Sequence, residues 1–278
     1  MEIIRITDKN YESFVSFMDT ESVARITVHK NVIAMGAVED NRACGIIVVG
    51  FRENMAVIHD LYVHSAHRRK GIATELLIAA AELAEDFETD GYDVTFVENL
   101  EADNGLKPFF EACEFQLEKL EAQGCYAFSL RDIRQHGTLK AQKSERVKSY
   151  SELSKMERNS LLEEPLSYMQ EFMMKEDIEP DVSCFLTENE KIDACCVFIR
   201  QNDELSLAWL RGSAKNQMSI IMLFQYAIHE LLQKYPEDTR IMLPVVSDHG
   251  ERLSLKLLED ALTQTEIVWN AKLPFFEE

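Results

Sequence analysis

The spacing of apolar and polar positions changes several times along the first half of the chain. Met1 to Thr7 alternates as a short strand. Residues from Tyr11 to about Met18 predict a helix, and another begins near Glu21. Apolar runs follow at Val32 to Val38, Ala43 to Phe51 and Met55 to Val63. The turn residues Glu39-Asp40-Asn41 and Arg52-Glu53-Asn54 separate them, which predicts an antiparallel meander. From Gly71 the period becomes helical: Ile72, Leu76, Leu77, Ala80, Leu83, Ala84 and Phe87 fall on one face. Gly91 closes that segment and Tyr92 to Val97 is the next strand. Asn104 to Ala112 is a short helix, with strands near Phe115-Gln116-Leu117 and from Cys125 to Leu130. Hairpins followed by a helical crossover predict an α/β domain with a mixed sheet.

A polar, Lys-rich stretch from about Arg131 to Glu145 marks a linker. Beyond it the order repeats faintly. Val182 to Leu186 and Ile192 to Arg200 flank a turn at Glu188-Asn189-Glu190, and Leu205 to Leu210 is a strand. Met218 to Leu232 is an amphipathic helix with Ile220, Ile221, Phe224, Ile228 and Leu231 inward. Ile241 to Val246 is a strand and Arg252 to Leu262 a helix. Arg42-Ala43-Cys44 matches Asp193-Ala194-Cys195, and Ile72 to Leu83 matches Ile220 to Leu231. The expectation is a tandem repeat. Its fold class is α/β (α+β), each domain a mixed, mostly antiparallel sheet flanked by helices, with boundaries at 1–135 and 146–278.

Composition narrows the chemistry. The 278 residues suffice for two domains, and 46% hydrophobic residues suffice for their cores. The formal net charge of -20 disfavours nucleic acid and anionic membrane surfaces and favours amines or basic peptides. Plain solubility explains the acidity equally well. The six cysteines form no C-x-x-C pair, so no metal site is expected, and several lie in apolar runs as small hydrophobes. Met1-Glu2-Ile3-Ile4-Arg5 opens as a strand, with no signal peptide, and no apolar run is long enough to span a bilayer. The expected setting is the cytoplasm. The Met169, Met173 and Met174 run is expected to be core packing.

The informative stretch is Asp60-Leu61-Tyr62-Val63-His64-Ser65-Ala66-His67-Arg68-Arg69-Lys70-Gly71-Ile72-Ala73-Thr74. It is a strand, a cationic loop and a helix start. Gly71 and Ala73 leave room for a ligand against the backbone. The first helical N–H groups have no intrahelical acceptor, and the helix dipole adds to the positive charge there. A diphosphate suits that cradle.

Arg68-x-x-Gly71-x-Ala73 resembles the acetyl-CoA signature of the GNAT superfamily, the GCN5-related N-acetyltransferases. The preceding Asp60-Leu61-Tyr62-Val63 has the family's form, and Asn104, Phe110 and Phe115 resemble its downstream helix and strand. The resemblance covers most of the first half. It implies that acetyl-CoA is the co-substrate. Backbone groups of Leu61, Tyr62 and Val63 would pair with the pantetheine amides. Backbone N–H groups from Arg69 through Lys70, Gly71, Ile72 and Ala73 to Thr74 would hold the diphosphate, with Arg68 beside them. Asn104 would touch the pantetheine or help open the sheet; a helix N-cap is its structural alternative.

Attack of an amine on a thioester needs a general base with a pKa near neutrality. His59, just before Asp60, suits that task, and an ordinary surface strand residue is the alternative. Asp60 points to the other side of a regular strand, which a bulge would change. His64 and His67 belong to the loop rim. Where many relatives carry a tyrosine proposed to protonate the departing thiolate, the register places Phe110, so either Tyr62 or a water would serve or the thiolate leaves unaided. Glu114 stands where the family has glycine.

In the second half the matching loop is Asn216-x-x-Ser219-x-Ile221, without cations or glycine. It reads as a degenerate copy that walls the acceptor pocket, mediates a homodimer or stabilises the first half. The leading function is acetylation of a small amine or protein amine. The alternative is a non-catalytic acyl-CoA-binding sensor or structural module. A third reading, an antibiotic-modifying enzyme, fits the acidity alone.

Overall fold

The computed structural model describes the chain except residues 19, 29–30, 86, 103, 137–139, 163–177, 202–203, 214–215, 217 and 276–278. It is a mixed α/β structure. Its strands are β1 (Glu2–Arg5), β2 (Val32–Glu39), β3 (Arg42–Arg52), β4 (Met55–Val63), β5 (Gly91–Asn99), β6 (Gln116–Ser129), β7 (Val147–Ser149), β8 (Cys184–Glu188), β9 (Lys191–Gln201), β10 (Glu204–Arg211), β11 (Arg240–Val245) and β12 (Thr263–Pro274). The described α-helices are α1 (Thr20–Val28), α2 (Ile72–Glu85), α3 (Leu106–Ala112), α4 (Leu130–His136), α5 (Lys155–Asn159), α6 (Ser219–Lys234) and α7 (Asp248–Leu258). Among the described residues, no helix is long and apolar enough to cross a membrane.

Two compact units emerge, and they do not follow the linear division at 1–135 and 146–278. Unit 1 comprises Met1–Glu98, Ala102–Leu120 and Val268–Glu278; unit 2 comprises Asn99–Glu101 and Glu121–Ile267. The long strands β6 and β12 each begin in one unit and end in the other.

In unit 1, β1, β2, β3 and β4 pair antiparallel in sequence. After the α2 crossover, β5 pairs parallel with β4, Met55 opposite Gly91. The next strand beside β5 is the end of the chain, residues 268–274 of β12. Trp269 there donates to Glu98 at 2.8 Å and Asn270 to Asp93 at 2.6 Å. The sheet is buried on both faces. On one, Ile72, Leu76, Leu77, Ala80 and Ala84 of α2 pack on Ile47, Val49, Ile58, Val94 and Ala271. On the other, Phe14 packs with Ile6, Ala34, Ile46 and Val48. Residues 11–18, expected as a helix, form two single 3₁₀ turns, Tyr11–Ser13 and Val15–Phe17.

Unit 2 repeats this plan. β7, β8, β9 and β10 pair antiparallel, and β10 and β11 pair parallel across the α6 crossover. The strand beside β11 is the second part of β6, Arg240 opposite Ser129. Leu223, Phe224, Ala227, Ile228 and Leu231 of α6 form its core with Cys184, Leu186, Phe198 and Leu243. The expected linker is partly folded: residues 130–136 are α4, with Leu130 and Ile133 buried in that core. The run Met169, Met173 and Met174 lies outside the described residues. All six cysteines are free thiols, five of them buried, and burial pushes the Cys195 thiol up to about 12. They pack as apolar side chains.

Candidate functional site

The site begins with an irregularity in β4. Its register with β3 shifts after Asp60 opposite Val48, so His59 is an extra residue before Ile58 opposite Val49. Ile58 and Leu61 both pack on the α2 face, with two residues between them where a regular strand has one. The bulge therefore carries His59 and Asp60 together toward the opposite, α1 face. It also ends the pairing with β5, whose last paired residues are Ile58 and Val94. Beyond this point β4 continues to Val63 while bonded to β3, so its other edge faces a cleft.

His59 lies over Gly50, where an added Cβ would fall 2.5 Å from Nε2. Desolvation holds its pKa below the ordinary histidine value; the Arg25 charge adds to that shift and Glu21 opposes it. The imidazole is therefore neutral at pH 7, the form a proton acceptor needs. Tyr62, on the same face, stacks on Phe17 with ring centroids 5.5 Å apart, and the Arg68 guanidinium lies 5.9 Å from its ring centroid.

The loop after β4 makes one 3₁₀ turn, Ser65–His67, capped by the His64 Nδ1, which accepts from the Ala66 N–H at 3.3 Å. Arg69 and Gly71 then take left-handed φ values of 64° and 82°. A Cβ built on Gly71 meets no atom within 4 Å, so the space above it is open to a ligand. Ile72 is buried and anchors the start of α2, leaving the opening N–H groups of that helix at the surface of a cavity.

That cavity measures ≈ 580 Å³. Of the residues expected to hold the cofactor, Leu61, Tyr62, Val63, Arg68, Arg69, Gly71, Ile72, Ala73, Thr74 and Asn104 line it. Lys70 does not: its ammonium turns to Glu39, 3.3 Å from Oε2. His59 and Asp60 also lie outside its wall. Arg68 donates from Nε to the Val63 carbonyl at 3.0 Å. Asn104 pins the far wall, donating to the Val97 carbonyl at 2.7 Å and accepting from the Leu106 N–H at 3.2 Å. Gly105 follows as the N-cap of α3, at φ 72°.

A strand edge freed by a bulge, an anion cradle at a helix start and a shared cavity narrow the family. Residues 4–115 match the Acetyltransferase (GNAT) family. The first half of the chain carries a GNAT domain. No curated protein matches the chain. Among solved structures, a tandem GNAT protein from the clavulanic acid biosynthesis pathway is similar over 100% of this chain and 99% of its own, at 12% identity and a TM-score of 0.57. A GCN5-related N-acetyltransferase from Sphaerobacter thermophilus is similar over 98% of this chain and 95% of its own, at 11% identity and a TM-score of 0.51. At such identities the likeness concerns the fold, which is a tandem GNAT fold.

The GNAT domain corrects one expectation. Phe110, taken from the register as the phenol position, is buried in the core among Phe96, Phe109 and Phe115. The ring that lines the cavity is that of Phe109. Two adjacent aromatics on a short helix share the same pattern, and only the rotation of α3 separates them. Glu114 takes the left-handed conformation, φ 63°, at the family's glycine position. Sequence reasoning missed Gly105, Leu106 and Phe109 as wall residues, although Gly105 next to Asn104 was a visible turn signal.

Proposed function

We propose that this chain is an N-acetyltransferase that moves an acetyl group from acetyl-CoA to a primary amine by direct attack. The observation that carries the reading is the single cavity shared by the freed edge of β4 and the open loop at the start of α2. Acetyl-CoA supplies the acetyl group activated as a thioester. The edge of β4 from Leu61 to Val63, left by β5, is suited to pair with pantetheine amides as an added strand does. The amides from Arg69 to Thr74, with Arg68 and Arg69, are suited to a diphosphate. The open space over Gly71 fits such an occupant; a side chain at that position would project into it.

An amine that arrives protonated must lose its proton before attack. His59, held neutral, accepts it; Asp60 lies beside it on the same face and is the next candidate. Tyr62 lines the cavity, which supports it as the group that returns a proton to the departing sulfur. One observation favours the second reading, an acyl-CoA-binding sensor: α3 presents to the cavity a phenyl ring, Phe109, with no proton to give.

The test is incubation of the whole chain with acetyl-CoA and a panel of small primary amines and lysine peptides, read by free-thiol release. Release above the amine-free blank is the expected result. Saturable acetyl-CoA binding with no release for any amine would favour the sensor.

A further inference from the structure

The anion loop carries three consecutive cations, Arg68, Arg69 and Lys70, preceded by His67, and its sharpest backbone departure is Arg69 at φ 64°. A non-glycine residue holds that conformation only where its surroundings enforce it. The residues on either side of Arg69 are both gripped by one carboxylate. Glu39 Oε2 lies 2.8 Å from His67 Nδ1 and 3.3 Å from Lys70 Nζ. Glu39 is itself firmly placed. It ends β2 opposite Arg42, and the intervening Asp40 and Asn41 form a tight hairpin with φ 50° and 60°. The hairpin is stitched to the loop by the His64 N–H, which donates to the Cys44 carbonyl at 2.9 Å. The hydrogen bond from His67, then that from Lys70, hold the Glu39 carboxyl below the usual carboxylate range, so it is ionised at neutral pH.

Unit 2 has the same hairpin, Glu188 opposite Lys191 with Asn189 and Glu190 left-handed, but a loop without this run of cations. The turn is thus part of the fold, whereas the cationic run His67-Arg68-Arg69-Lys70 belongs to the unit 1 loop alone.

We propose that Glu39 is a positioning residue for diphosphate binding: it clamps His67 and Lys70 and so fixes the loop in the shape that its amides need. The proposal rests on the acetyl-CoA reading above. Two effects of Glu39 oppose each other. As an anion near an anion site it repels the ligand; as a clamp it pre-organises the loop. The sign of a substitution decides between them.

The experiment compares coenzyme A with pantetheine, which lacks the diphosphate, on the full chain. Calorimetry measures the first and an NMR titration the second. For Glu39→Ala the dissociation constant for coenzyme A should rise about fivefold, the scale of one partly exposed ion pair and one hydrogen bond, with pantetheine binding unchanged. Glu39→Gln, which keeps the side chain's shape, should shift in the same direction by about twofold. Unchanged or tighter coenzyme A binding in either variant would overturn the proposal. So would an equal loss for pantetheine, which would mark a general structural role. A wild-type chain that does not bind coenzyme A at all would overturn the acetyl-CoA reading itself, and this proposal with it.

Discussion

Units 1 and 2 share a strand order, a parallel pair after a helical crossover and a bulge at the same place, yet differ at nearly every position that matters for a ligand. In β10 the register with β9 shifts between Leu207 and Trp209, so Ala208 and Trp209 stand where β4 has His59 and Asp60. The loop before α6 is folded on itself. Ser219 Oγ accepts from the Ser213 N–H at 2.8 Å, Ser213 Oγ from the Asn216 N–H at 3.1 Å, and Asn216 Oδ1 from the Met218 N–H at 3.1 Å. The Ile220 side chain closes over Gly212, 3.1 Å from where a Cβ would stand. In unit 1 the space over Gly71 is open. The bulge and the splay are therefore properties of packing in this fold. The proposed anion site depends on a few loop residues laid over it.

The comparison can be broken most directly at Gly71. Gly71→Glu should abolish acetyl-CoA binding, with a loss of about 10²-fold or more, because it puts a carboxylate into the cradle and forces a left-handed φ on a side chain. Ser219→Glu in unit 2 should leave binding intact. Calorimetry of the parent chain should give one site; two equivalent sites would end the contrast between the units.

The next test is catalytic. His59→Ala should lower turnover by roughly 10²-fold or more with acetyl-CoA affinity unchanged, as for loss of a general base. Because the His59 pKa lies below its ordinary value of about 6.5, activity should fall only as pH drops through that lower value. Full turnover by the variant would move the base elsewhere, Asp60 first.

A smaller effect tests the borrowed strand of unit 1. Trp269→Ala removes a hydrogen bond to Glu98 and a ring under Lys107 Nζ, 4.5 Å from the centroid. It should cost about 3 kcal/mol, the low end for truncating a large aromatic, since the ring is half-buried. Denaturant unfolding measures it; a variant as stable as the parent would mean that the C-terminal strand adds little to unit 1.

The smallest concerns Phe110→Tyr. It places a hydroxyl in an aromatic core and should cost about 1–2 kcal/mol with no gain in rate. A faster enzyme would show that the phenol reaches the sulfur after all.

The strands and helices that shape the cavity were plain in the sequence. Met55 to Val63 is an apolar strand interrupted only by His59-Asp60, α2 has a clear inward stripe, and the cations and small residues between them suggest an anion site. The elements that escaped are those whose pattern is diluted by charge or shortness. β6 reads as two strands because Glu118, Lys119, Glu121 and Gln123 interrupt it, although it runs unbroken for 14 residues. β12 sets Ile267, Trp269, Ala271 and Leu273 between Glu266, Val268, Asn270 and Lys272, but it follows a helix and has no hairpin partner to announce it. α4 offers only Leu130 and Ile133 as buried positions in seven residues. The Glu39 clamp was not legible either, because a hairpin turn and a loop 28 residues later meet only in three dimensions.

The provenance of the last strand of unit 1 sets an order of manufacture. β5 leaves the ribosome more than 160 residues before residues 268–274, which lie beside it in the finished sheet. At about 5–20 residues per second, the interval is on the order of ten seconds or longer. For that time the nascent unit 1 carries β5 without this neighbour, an edge open to wrong pairing. Its cradle and bulge are already encoded and synthesised, but the sheet that supports them is completed only when translation has passed through the whole of the second unit.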